Sequence, residues 1–181
     1  MPNTARQILI VDDSQDIRNL AFQTMQTGHT CHSTFHASSV GKLIQRLTGA
    51  PIDIPKVYVD NLNLAIVVGS VRLADGTSVR RITSINEILG FDPESGAFNF
   101  IEIFRWDSAT DTFEFPGYMN STMLEDVVAP KMGLPRQESR KMYDMLKERA
   151  NAFRKIHEQG TTNFYDLYKF LAQAHRQGFL G

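Results

Sequence analysis

Repeated turn signals between apolar runs constrain the middle of the chain more tightly than any other sequence feature. Four runs rich in β-branched and aromatic residues are separated by short polar turns, of which Asp75-Gly76 is the clearest. Turn residues of this kind between two apolar runs are typical of β-hairpins. Residues 62–116 are therefore predicted to form an antiparallel β-meander. Its strands are expected at 64–73, 79–91, 97–106 and 112–115.

Before residue 62 the pattern is that of alternating strands and helices. Residues 7–11 form a continuous apolar run, typical of a buried strand in a parallel sheet, and Asp12 and Asp13 follow it directly. Open α/β sheets bind their ligands at this carboxyl end. Two amphipathic helices are expected around an extended segment at 30–36, the second of them capped by Ser38 or Ser39.

After Gly117 the pattern is helical to the C-terminus. We expect a short helix capped by Asn120 or Ser121, a long helix that begins near Pro135, and a last helix from about Thr162. The chain is thus predicted to be an α/β protein with three successive regions: 1–61, 62–116 and 117–181.

Composition excludes several classes of function. With 19 Lys and Arg against 20 Asp and Glu, the net charge of −1 argues against a basic nucleic-acid surface or a polybasic membrane anchor. Cys31 is the only cysteine, so no intramolecular disulfide can form, and a reducing compartment is favoured. No apolar run approaches the ~20 residues that span a bilayer, and the N-terminus has no signal pattern. We expect a cytoplasmic chain.

Two groups of residues could carry chemistry. The carboxylates of Asp12 and Asp13 could hold Mg²⁺ and orient an attacking water, or could cap the following helix. Three histidines and Cys31 lie within 29–36, but strand alternation would place His32 and His36 on one face and His29 and Cys31 on the other. This division disfavours zinc. A hydrogen-bonding or phosphate-sensing role for one histidine is simpler.

The chain contains no G-x-x-x-x-G-K-S/T loop for binding nucleotide phosphates. The nearest string, at 36–43, includes Gly41-Lys42 but lacks the first glycine and the hydroxyl after the lysine. We interpret it as part of a helix.

The segment 22–40, FQTMQTGHTCHSTFHASSV, resembles the histidine-box region of type II/IV secretion ATPases. Within that family it is most similar to the archaeal branch that powers archaella and type IV-like pili. The similarity covers about 22–179, with further short motifs in the same order at 43–47, 52–56, 62–67, 80–88, 104–107 and 111–115.

The resemblance implies the C-terminal part of a RecA-like ATPase core with a partial parallel sheet, completed by the meander and followed by a helical subdomain. Such motors are normally hexamers that use ATP and Mg²⁺ to move pilin-like subunits against a membrane platform protein. It therefore implies a homo-oligomer, contact with the inner face of the membrane through a partner, and no nucleic-acid partner.

Residue by residue, the resemblance assigns His36 to contact or sense the terminal phosphate and places Asp12 or Asp13 at the Walker B acid, which serves Mg²⁺. It assigns the remaining histidine-box positions to the nucleotide site: Thr27, Gly28, His29, Ser33 and Thr34. The family's phosphate-binding loop is expected to precede this region. We therefore expect weak or absent nucleotide binding, and no ATP hydrolysis, by these 181 residues alone.

Two alternatives remain open. Residues 8–20 resemble the opening of a response-regulator receiver, which leaves the origin of 1–20 uncertain. In that case Asp12 and Asp13 would bind Mg²⁺ beside a phosphoacceptor Asp60 on a strand at 57–60. The other alternative is a non-catalytic interaction domain whose apolar surfaces bind a partner subunit.

Overall fold

The protein forms two compact units, Met1–Ser121 and Thr122–Gly181. The computed structural model describes residues 7–10 and 15–177, with side chains from Leu20 onward. The first unit combines helices with a parallel strand pair and a four-stranded antiparallel sheet, and the second is helical. The predicted α/β class is confirmed.

The first elements that the structure describes form a parallel β-α-β unit. Strands β1 and β2 pair in parallel with Ile10 opposite Ser33, and the helix α1 connects them, as a parallel pair requires a crossover. The elements of this part are β1 (Gln7–Ile10), α1 (Gln15–Gln26), β2 (Thr30–Ser33), α2 (Val40–Thr48) and α3 (Lys56–Val59).

Helix α2 follows the predicted capping pattern. The Ser39 hydroxyl accepts a hydrogen bond from the backbone N–H of Lys42 at 3.3 Å, which satisfies one of the unpaired donors of the first turn. Val40, Ile44 and Leu47, spaced at one helical face, are buried in the core of the first unit.

Residues 57–60 do not form the strand that a receiver's phosphoacceptor would need. They belong to α3 and its C-cap, because Pro55 begins a helical turn and Val59 is fully buried as part of that turn. The Asp60 carboxylate accepts a hydrogen bond from the Phe91 N–H at 2.8 Å, so it serves the neighbouring sheet. The prediction of a strand carrying Asp60 is wrong.

The predicted meander is confirmed. Its strands pair in sequence order, each antiparallel to the next, with register shifts near Val67, Ile85 and Ile88. The strands are β3 (Leu64–Arg72), β4 (Ser78–Asp92), β5 (Ala97–Asp107) and β6 (Thr112–Glu114).

A buried cluster joins the helices of the first unit to the start of the sheet. Its members are Phe22, Val40, Ile44, Leu47, Ile52, Ile54, Val59, Ala65 and Ile88. At the far end of the sheet, Arg81 donates two hydrogen bonds of 2.8 Å to Asp111, which also accepts one from the Trp106 indole at 2.8 Å. These bonds fix the β5–β6 turn to β4.

The second unit is helical, with two differences from the prediction. Ser121 does not cap the short helix, because its hydroxyl donates a hydrogen bond to the Glu87 carboxylate within the first unit. The short helix itself is a π-helix at Met123–Val128, which continues into α4 (Ala129–Lys131). Pro135 has extended backbone and precedes only a 3₁₀ turn at Arg136–Glu138. The long helices are α5 (Lys141–Glu158) and α6 (Phe164–Arg176).

A hydrogen bond ties α5 to the preceding π-helix. The Tyr143 hydroxyl donates to Glu125 at 2.7 Å, and Tyr143 is buried. Across residues 7–10 and 15–177, no helix has both the length and the apolar character to cross a bilayer.

Candidate functional site

His36 lies beyond the carboxyl end of a parallel strand. Strand β2 ends at Ser33, shorter than the extended segment predicted at 30–36, and His36 follows three residues later in a segment without regular structure. The His36 residue is exposed to solvent. Its position at this edge of the strand pair is the one at which open α/β sheets bind ligands.

Beside His36 is a shallow depression of about 460 Å³, formed between the 35–38 segment, α2 and β3. Two of its residues, Lys42 and Arg46, are basic, and none is acidic. The lining residues are Phe35, His36, Ala37, Ser38, Lys42, Arg46 and Val68.

Local contacts hold the Arg46 guanidinium in the depression. One of its N–H groups donates to the His36 carbonyl, and its central carbon lies 5.1 Å from the centre of the Phe35 ring. Lys42, one helical turn earlier, donates to the Gln45 side-chain oxygen at 3.1 Å. Since these partners are all neutral, the positive charges of Lys42 and Arg46 are not offset by a carboxylate within the described ranges.

The structure separates the predicted histidine-box residues into two groups. Thr27, Gly28 and His29 precede β2, whereas Ser33 and Thr34 lie at its other end. At a rise of roughly 3.3 Å per residue, the two ends of β2, Thr30 and Ser33, are about 10 Å apart between their Cα atoms. Of the predicted set, only Ser33 and Thr34 are therefore close to His36 along the chain.

The first group ends helix α1. Gly28 has φ of +84°, which favours glycine, and its N–H donates to the Met25 carbonyl at 3.0 Å. The Thr27 hydroxyl donates to the Thr24 carbonyl at 2.8 Å and lies 2.9 Å from His29 Nδ1. These contacts show that Thr27, Gly28 and His29 serve to end helix α1.

Asp12 and Asp13, predicted as catalytic residues and Mg²⁺ ligands, lie outside the described residues. Among the residues that are described, no three His, Cys, Asp or Glu side chains are grouped to hold a metal ion. Cys31 is half-buried with its Sγ 3.9 Å from the Ala21 carbonyl, and desolvation raises the pKa of the Cys31 thiol. His29 and His32 are exposed.

Two residues of the depression were not predicted as site residues. Lys42 was interpreted only as part of a helix, and Arg46 only as part of a motif. The available signal is their spacing, because residues four apart lie on the same face of a helix. The spacing shows that the two side chains share one face of α2, but it does not show that this face lines a depression.

Comparison with known proteins places the chain beside three archaeal relatives. No family model matches it. It is 35% identical over 162 residues to the uncharacterized protein MJ0900 of Methanocaldococcus jannaschii, a match that covers 90% of this chain and 29% of that protein. From the same organism, the uncharacterized protein MJ1287 is 41% identical over 98 residues (54% of this chain, 36% of that protein). The uncharacterized protein MJ0781 is 31% identical over 121 residues (67% and 15%).

The chain therefore spans between 15% and 36% of the length of these relatives. Each of them contains a large region with no counterpart in the match.

Proposed function

We propose that this chain forms part of a secretion, pilus or archaellum assembly motor of the ATPase type. In that motor it supplies the side of the nucleotide site at which His36 contacts the terminal phosphate. The observation that carries the proposal is the position of His36, exposed beyond the carboxyl end of β2 and beside an open basic depression.

The residues around the depression beside His36 support binding of an anionic ligand. A protonated imidazole can donate a hydrogen bond to a phosphate oxygen from either ring nitrogen. With Lys42 and Arg46 on the same depression and no acidic residue in its lining, the local charge favours phosphate over a cationic or apolar ligand.

The lengths of the relatives support a division of labour. MJ0900 aligns with 90% of this chain, yet 71% of that protein lies outside the match (100% minus the 29% covered). By resemblance, the phosphate-binding loop would belong to such an additional region. Mg²⁺ would neutralise phosphate charge when bound, with Asp12 and Asp13 as its ligands by the same resemblance.

Partners follow from the same resemblance and are part of the proposal. The motor would be a homo-oligomer, a hexamer as in the family, that acts on a membrane platform protein and not on nucleic acid. Exposed aromatic residues on α6, namely Phe164 at 72%, Tyr165 at 70% and Tyr168 at 63%, offer apolar area for such contacts.

ATP turnover tests whether the chain is catalytically incomplete. The purified 181-residue chain, incubated with ATP and Mg²⁺, is expected to release no phosphate above the buffer rate. Turnover that is lost in His36→Ala and kept in His157→Ala would contradict this. His157 is a matched control because it is exposed on α5.

Nuclear magnetic resonance of the histidine side chains tests the phosphate contact. We expect millimolar ATP to shift the imidazole signals of His36 more than those of His157 and His175, which belong to the second unit. Adenosine without phosphates is expected to leave His36 unshifted. Equal shifts at all three histidines, or none at His36, would refute the proposed contact.

A further inference from the structure

The depression beside His36 contains two positive charges that the proposed phosphate contact does not itself require. Lys42 and Arg46 lie one turn apart on α2 and both line it. Elsewhere in the first unit, the half-buried Arg81 pairs with Asp111 at 2.8 Å and the exposed Arg105 pairs with Glu114 at 2.5 Å. The two side chains of the depression contact only neutral groups in the described part of the chain.

We propose that Lys42 and Arg46 form a binding site for the linked phosphoryl groups of a di- or triphosphate. This inference rests on the proposed function and deepens it, because it assigns the ligand class and two further binding residues. It places His36 at one phosphoryl group and the two cations at the same or the adjoining group.

Arg46 is held ready to bind an anion. The contact with the Phe35 ring and the hydrogen bond to the His36 carbonyl restrict its side chain before a ligand arrives. A guanidinium carries five N–H donors, of which this hydrogen bond uses one. The donors that remain can bind two oxygens of a phosphoryl group at once.

Lys42 adds a charge of different geometry. Its ammonium group is a compact point charge on a flexible stem, and among the described residues it donates to the neutral side-chain oxygen of Gln45 at 3.1 Å. A phosphoryl group can displace that weak partner. Side chains at positions i and i+4 lie close together on a helix, so the two cations can reach neighbouring phosphoryl groups of one ligand.

Inorganic pyrophosphate is the probe that isolates this site, because it has linked phosphoryl groups without a base or sugar. Calorimetric titration of the folded 181-residue chain is expected to show pyrophosphate binding that weakens with added salt. Loss of one charged hydrogen bond weakens such binding by about tenfold or more, so Lys42→Gln and Arg46→Gln are each expected to do so. Arg46→Lys, which keeps the charge but loses the planar fork, is expected to recover part of the affinity.

Arg80→Gln is the matched control, since Arg80 is an exposed cation of the same unit that does not line the depression. It is expected to bind pyrophosphate as the natural chain does. Equal weakening in Arg80→Gln and Lys42→Gln would mean general attraction by surface charge and would overturn the inference. Failure of the natural chain to bind pyrophosphate would overturn it as well.

A parallel titration with ATP separates this inference from the proposed function. If ATP still shifts His36 in Lys42→Gln and Arg46→Gln as in the natural chain, the inference is wrong and the proposed function stands. If pyrophosphate binding needs both cations while ATP fails to shift His36, the site is a phosphate site but the proposed nucleotide contact is wrong. ATP and pyrophosphate that both depend on the two cations would support both.

Discussion

Gly117 is the position at which adding a single methyl group should most clearly damage the first unit. A Cβ at Gly117 would lie 2.6 Å from Cδ1, 2.9 Å from Cγ2 and 3.0 Å from Cα of Ile103. Ile103 is 3% exposed on β5, so its side chain is surrounded by other atoms of the protein. The N–H of Gly117 also donates to the Ile103 carbonyl at 3.1 Å, which holds the two backbones together.

The cost of Gly117→Ala follows from which of these atoms can move. A new rotamer of Ile103 could displace Cδ1 and Cγ2, but Cα belongs to the strand, so the backbone at residue 117 must retreat and weaken its hydrogen bond. Overpacking of a filled core costs about 1–3 kcal/mol. The weakened backbone hydrogen bond adds about 1 kcal/mol, and we expect a total loss of about 2–4 kcal/mol in the free energy of unfolding.

Urea unfolding followed by tryptophan fluorescence measures this loss. Trp106, the only tryptophan of the chain, is on β5 three residues after Ile103 and therefore reports on the first unit. The midpoint is expected to fall by about 1–2 M in Gly117→Ala. Gly41→Ala is the control, because no atom lies within 4 Å of its added Cβ, and a better helix former in α2 is worth up to about 1 kcal/mol.

A double variant tests the atomic explanation. Ile103→Val alone should cost about 0.5–1.5 kcal/mol. In the Gly117→Ala background it removes Cδ1, the closest atom, and should cost less by at least about 0.5 kcal/mol. An unchanged midpoint in Gly117→Ala, or strictly additive losses in the double variant, would refute the reasoning.

Two further predictions concern polar contacts of the first unit. Hydrogen bonds from Arg81 and from the Trp106 indole lower the pKa of Asp111 to about 2 from its ordinary 3.8, so its stabilising effect should be complete above pH 4 and should be lost as the pH falls toward 2. A carboxyl signal of Asp111 that titrates near 4, or an Asp111→Asn variant whose acid unfolding matches the natural chain, would contradict this. Ser121→Ala should lower the free energy of unfolding by about 1–3 kcal/mol, because it removes a hydrogen-bond donor from the buried Glu87 carboxylate. The same urea assay measures this loss, and an unshifted midpoint would contradict the prediction.

The meander could be predicted because its turns are chemically explicit. Asp75 accepts hydrogen bonds from both the N–H and the hydroxyl of Thr77, and Gly76 adopts φ of +85°, so the turn residues themselves determine where the strands end. The register shifts beside Val67, Ile85 and Ile88 could not be predicted. They depend on which residues meet across strands, and the apolar pattern carries no such information.

Only part of the candidate site could be predicted from the sequence, because the rest depends on which elements pack together. His36 stands out by residue type and motif, but the depression depends on α2 lying beside β3, which brings Lys42 and Arg46 to Val68. The local sequence predicts which residues share a face of α2, but it does not predict which strand that face packs beside. The four-residue length of β2 likewise separates His29 from His36, although both belong to one sequence motif.

Binding a phosphoryl group and transferring it require different arrangements of charge. His36, Lys42 and Arg46 line an open depression, so a triphosphate bound there would keep part of its oxygens in water. Phosphoryl transfer needs charge stabilisation around the whole transferring group, together with a metal ion and a positioned nucleophile. If the proposal is right, these cations supply affinity for the phosphate, whereas acceleration of the reaction would require further groups on another surface around the ligand. On this argument, any variant of the three residues should change nucleotide binding by these 181 residues without creating turnover.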